Sequence, residues 1–86
     1  MRETIEETTV GSLGGADVPM ANATPNYTFA LPDGSVGRGP ACMLILPGGA
    51  VWVGAGSEVE VEGRRWRVIC VRCPDDDTGS VTLEGL

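Results

Sequence analysis

The chain has 86 residues, thirteen of them Gly and six Pro, with no Lys, Gln or His and a formal net charge of −6. That length holds one domain, the Gly and Pro content leaves few places for a long helix, and the acidity argues against a grip on DNA phosphates or an anionic membrane surface. Without His the commonest general base and a common metal ligand are missing, so a binding protein is expected rather than an enzyme.

The N-terminal Met1-Arg2-Glu3-Thr4-Ile5-Glu6-Glu7 is acidic and no apolar run follows it. It reads as neither a signal peptide nor a membrane span. A reducing cytoplasm is therefore expected, with the three Cys as thiols. In that setting the sequons Asn22-Ala23-Thr24 and Asn26-Tyr27-Thr28 carry no weight. Residues 1–25 lack sustained apolar periodicity and contain Pro19 and Pro25. They are expected to be a flexible arm that orders on a partner, with Thr4 to Val10 a short helix or strand. The remaining residues, 26–86, make a small domain, and domains of that size commonly lean on disulfides, metals or partner subunits.

From Tyr27 the pattern turns to strands. Tyr27-Thr28-Phe29-Ala30-Leu31 alternates with a period of two, and Pro32-Asp33-Gly34-Ser35 is a turn. Val36 to Pro40 reads as a Gly-rich loop. Cys42-Met43-Leu44-Ile45-Leu46 is a buried strand, Pro47-Gly48-Gly49 ends it, and Ala50-Val51-Trp52-Val53 is a short strand or extended link. Ser57-Glu58-Val59-Glu60-Val61-Glu62 alternates with its valines inward, turns at Gly63-Arg64, and returns through Arg65-Trp66-Arg67-Val68-Ile69-Cys70-Val71. Trp66, Val68 and Cys70 are expected inside. The arginines outside face Glu58, Glu60 and Glu62, and each exposed pair is worth roughly 0.2–1 kcal/mol. Pro74 to Gly79 is a polar turn and Ser80-Val81-Thr82-Leu83-Glu84 a last strand. The fold class is mostly β: a small antiparallel barrel or sandwich with an N-terminal arm.

Several motifs invite chemistry. Cys70-Val71-Arg72-Cys73 is a CxxC, yet zinc needs four ligands and a thioredoxin-like motif opens a helix, whereas Pro74 follows here. Strand-end cysteines are the simpler reading, with zinc or redox work as the alternative. Asp75-Asp76-Asp77 lacks the ligand spacing of a calcium loop and reads as a solvated turn or a negative patch. Gly54-Ala55-Gly56-Ser57 has no Lys and no helix behind it, so it does not cradle phosphate. No metal or cofactor is expected. Trp52 lies open between a core role and an interface anchor. With Tyr27 and Phe29 it makes up the candidate partner-binding set.

The segments Gly56-Ser57-Glu58-Val59-Glu60-Val61-Glu62-Gly63, Arg65-Trp66-Arg67-Val68, Pro74-Asp75-Asp76-Asp77-Thr78-Gly79 and Val81-Thr82-Leu83-Glu84-Gly85-Leu86 together resemble the small β-barrel head-completion and head–tail joining (tail-attachment) proteins of long-tailed phages. The resemblance covers about residues 42–86 and implies a virion structural adaptor. That adaptor would be a homo-oligomeric ring between a portal or adaptor protein and a tail protein, assembled in the host bacterial cytoplasm. Glu58, Glu60, Glu62, Asp75, Asp76 and Asp77 would face the lumen and repel phosphate as DNA passes. Other virion roles, such as capsid decoration or tail termination, and a small acidic inhibitor that mimics DNA are the competing expectations.

Overall fold

The computed structural model describes residues 1–7, 10–74 and 78–86. Its regular structure is eight strands: β1 (Arg2–Glu6), β2 (Val10–Leu13), β3 (Ala16–Ala30), β4 (Val36–Leu46), β5 (Gly49–Gly54), β6 (Glu58–Val61), β7 (Arg64–Arg72) and β8 (Ser80–Gly85). They form two four-stranded antiparallel sheets, ordered β1-β8-β7-β6 and β2-β3-β4-β5. One of the two sheets curls into a half-barrel. The mostly-β reading therefore holds, and no helix occurs among the described residues.

The β6–β7 hairpin follows directly from its sequence. Glu62 and Gly63 take φ of 52° and 79°, the pair of left-handed conformations that a two-residue type I′ turn needs. Val61 then faces Arg64 and Val59 faces Trp66. Val59, Val61, Trp66 and Val68 are all buried, as the alternation requires. A register shift between Val68 and Cys70 breaks the alternation in β7. The bulge turns Val71 into the core, and Cys70 is only half-buried. The inward placement expected for Cys70 is corrected by that one extra residue.

The N-terminal quarter is not an arm. β1 pairs with β8, β2 pairs with β3, and β3 runs unbroken through residue 25. Ile5, Leu13, Val18 and Met20 are buried in the same core as Trp66, Leu44 and Leu83. Each such burial is worth roughly 1.5–3 kcal/mol, which is enough to fix a short strand that has little pattern of its own. The prolines are tolerated for local reasons. Pro19 faces Val10 of β2, and Pro25 lies inside the register shift between Thr24 and Tyr27, where the ladder is already interrupted.

Val36 to Pro40 is likewise strand rather than loop, since Val36, Gly37, Arg38 and Gly39 pair with Ala30, Phe29, Thr28 and Tyr27. The Asp33 carboxylate closes the connecting turn, accepting from both the amide and the hydroxyl of Ser35. Those bonds, the side-chain one foremost, hold the Asp33 carboxyl below its ordinary value.

Candidate functional site

The two sheets differ in what they show on the side away from the core. On the first, a row of alternating charge crosses all four strands: Glu58 faces Arg67, Arg67 faces Glu84, and Glu84 faces Arg2. Beside it Thr4 and Thr82 share a hydroxyl hydrogen bond of 3.1 Å. On the second, one row brings Val10 against Pro19 and, two strands on, Ile45 against Ala50. The next row is Ala21, Met43 and Trp52. No charged side chain stands in either row. Val10 and Ile45 are exposed and Met43 and Trp52 are half-buried. The two rows make one apolar stretch of surface, bordered on β3 by the exposed Asp17.

Two register shifts in β3 curl the far end of the β3–β4 hairpin towards β5. Tyr27 comes to lie against Trp52, with ring centroids 4.3 Å apart and planes tilted by 40°. Tyr27 remains 45% exposed, so the pair is a surface feature. Val36 lines the same shallow depression. Phe29 behaves differently. It is buried, and its ring fills the space a side chain would need at Gly37 and Gly54, where an added Cβ would come within 2.5 Å and 2.2 Å of ring carbons. The expected aromatic set of three thus divides into a contacting pair, exposed Tyr27 and half-buried Trp52, and one buried structural residue, Phe29.

Ser57, given no role of its own by the motifs that contain it, fastens this end. It is 1% exposed. Its hydroxyl donates to the Ala30 carbonyl (2.8 Å) and accepts from the Gly54 amide (3.1 Å). Its own amide donates to the Gly54 carbonyl, and its carbonyl accepts from Val68. One small residue therefore ties β3, β5 and β7 together. A sequence signal existed, namely a Ser just after the Gly54-Ala55-Gly56 bend, but Ser is common in turns and its burial is not legible.

The acidic residues are not equivalent. Glu58 accepts from both Arg65 and Arg67, the latter at 3.2 Å. Partial burial pushes its carboxyl up, but the hydrogen bonds from Arg67 and Arg65 outweigh it and hold the carboxyl below its ordinary value. Glu60 faces Arg65 in the register, yet that guanidinium is turned to Glu58. Glu60 and Glu62 line a groove of about 380 Å³ with Leu46, Pro47, Gly48, Gly49, Ala50 and Val51. Asp75, Asp76 and Asp77 lie outside the described residues.

The CxxC places its thiols in different surroundings. Cys70 lines a groove with Phe29, Leu31 and Arg38. Cys73 packs against the core. Burial pushes the Cys42 thiol up to about 12, with Cys73 and Glu7 adding to the effect. Cys73 is raised too, by burial first and then by Glu7. Glu7 itself is anchored, accepting from the amides of Ala23 (3.0 Å) and Gly79 (3.2 Å). Among the described residues no three His, Cys, Asp or Glu side chains converge as a metal site, and no helix is long and apolar enough to cross a membrane.

Comparison of the chain with protein-family models, with curated proteins and with solved structures finds no match.

Proposed function

We propose that this chain is a phage virion-assembly adaptor of the head–tail connector kind. It acts by protein–protein contacts in a ring around the DNA path, with portal or adaptor and tail proteins as its neighbours. The observation that carries the reading is the contrast between the two outer faces. An apolar face on β2-β3-β4-β5 lies opposite a charge-alternating face on β1-β8-β7-β6. In the ring the apolar face packs against the neighbouring copy, where the lack of charge matters because each copy carries −6. The charged face stays in water. The strand grammar of residues 42–86, which resembles the head–tail joining proteins, supports this assignment over other assembly roles. A DNA-mimicking inhibitor would need an unbroken acidic face, whereas arginines alternate with glutamates along the row.

The test is the absolute mass in solution over a concentration series, for the parent chain and for Ile45→Lys. Ile45 is 39% exposed, so the charge is added without opening the core. A multi-subunit mass in the parent and its loss in the variant support the reading. A monomer at every concentration, unchanged by the substitution, counts against it.

A further inference from the structure

The four sheet edges are not equally protected. β1 carries Arg2, Glu3 and Glu6, and β6 carries Glu58 and Glu60 on only four residues. β2, the end strand of the second sheet, is four residues long and starts beside β1. β5 is six residues long and reads Gly-Ala-Val-Trp-Val-Gly, with neither charge nor proline. It is the last strand of its sheet, paired with β4 alone. Strands of this kind accept another strand unless something blocks them.

The orientation of its backbone follows from the corner. The Gly54 amide and carbonyl both point to Ser57 and so away from β4. Alternation along a strand then turns the N–H and C=O of Trp52 and Ala50 to the same open side. Ala50 is exposed and lies in the groove between β5 and β6. Leu46, Pro47 and Val51 supply the apolar lining of that groove, and Glu60 and Glu62 supply two carboxylates that no arginine engages among the described residues.

We propose that this groove takes an extended strand from a partner protein, pairing with the open edge of β5 and carrying basic side chains at alternate positions. One set of its side chains meets Leu46 and Val51, and the other meets Glu60 and Glu62. Backbone pairing provides the affinity and the alternate side chains provide the selection, as in strand addition generally. A second copy of this chain does not fit. Its Arg38, Arg64, Arg65, Arg67 and Arg72 are locked in β4 and β7, which are paired on both sides. Arg2 shares the edge strand β1 with Glu3 and Glu6, so no free edge alternates basic and apolar residues. The proposal rests on reading the chain as a protein-binding module, and it gives Glu60 and Glu62 to a protein partner rather than to the DNA path.

The test is a selection of short random displayed peptides against the full chain, with synthesised winners titrated into isotope-labelled protein. The expected winners alternate apolar and Lys or Arg residues and shift the amides of Ala50 and Trp52. Ala50→Pro removes the outward amide without touching the β4 ladder, and it weakens binding by about tenfold. Glu60→Gln with Glu62→Gln lowers affinity and flattens its salt dependence. Winners with no basic alternation, or amide shifts confined to β2 and β3 at Val10 and Ala21, overturn the proposal. If no peptide is selected while Ile45→Lys still dissolves the oligomer, the edge assignment falls and the assembly reading stands.

Discussion

Tyr27 of β3 and Trp52 of β5 meet across the intervening strand β4, their ring centroids 4.3 Å apart. Opposite Tyr27, β4 carries Gly39, which has no side chain to stand between the rings. The contact records the curl of the sheet, because neighbours-but-one in a flat sheet stand nearly 10 Å apart. It also puts the half-buried Trp52 ring beside the exposed Tyr27 at the margin of the apolar face.

Replacing Trp52 by Ala should separate stability from assembly. The ring pair contributes about 0.5–1.5 kcal/mol beyond area burial, so the urea midpoint should fall modestly. If the face packs against another copy, association should fall by about 2 kcal/mol or more, as for a buried aromatic anchor. Denaturation and light scattering on the same variant compare the two. A lowered urea midpoint with association unchanged would mean that Trp52 serves the fold alone.

The Phe29 cradle should resist a single methyl group. In Gly54→Ala the new Cβ would lie 2.2 Å from a Phe29 ring carbon, and overpacking of that kind costs about 1–3 kcal/mol. Adding Phe29→Leu should restore part of the loss. A chemical-denaturation double-mutant cycle measures this coupling, and strict additivity would show that the ring moves away freely.

Ser57→Ala should destabilise by about 1–3 kcal/mol, because it removes the acceptor from the buried Gly54 amide and the donor from the part-buried Ala30 carbonyl. Amide hydrogen exchange should rise first at Gly54. A change below about 0.5 kcal/mol would indicate that water replaces the hydroxyl without penalty.

How legible this arrangement is differs by segment, and for physical reasons. The β6–β7 hairpin and β8 are written in period-two alternation, and their register follows from the sequence. The strands of residues 1–25 are not, because Ile5, Leu13, Val18 and Met20 are separated by Gly, Thr and Glu and bounded by turns. Their burial depends on Trp66 and Leu83 arriving from the far end of the chain. Gly37 and Gly39 read as loop residues, yet both lie in β4, and Gly37 leaves the space that the Phe29 ring fills. Bulges hide Cys70's true direction and bring Tyr27 to Trp52, and neither effect has a local signature. Of the candidate site, the residue types were visible. The apolar face was not, since it joins single residues from four strands.

Cys42 predicts an alkaline weakness. Its thiol ionises at about 9.0 when free and about 12 in the fold, so the folded state holds its proton where the unfolded state has lost it. Stability from this group is complete below pH 9 and declines as pH rises towards 12, at about 1.4 kcal/mol per pH unit. Cys73 and Glu7 lie beside it and act in the same sense. Cys42→Val should flatten the slope of urea stability between pH 8.5 and 10 relative to the parent. Identical slopes would place the alkaline sensitivity elsewhere.

The most direct test of the central claim is the absolute mass of the parent chain and of Ile45→Lys by light scattering as concentration rises. The parent is expected at a multi-subunit mass, and the variant, still folded by its urea transition, at the monomer mass of 8.9 kDa. A parent that stays at 8.9 kDa throughout, with the variant indistinguishable from it, would contradict the assignment of the apolar face to a neighbouring copy.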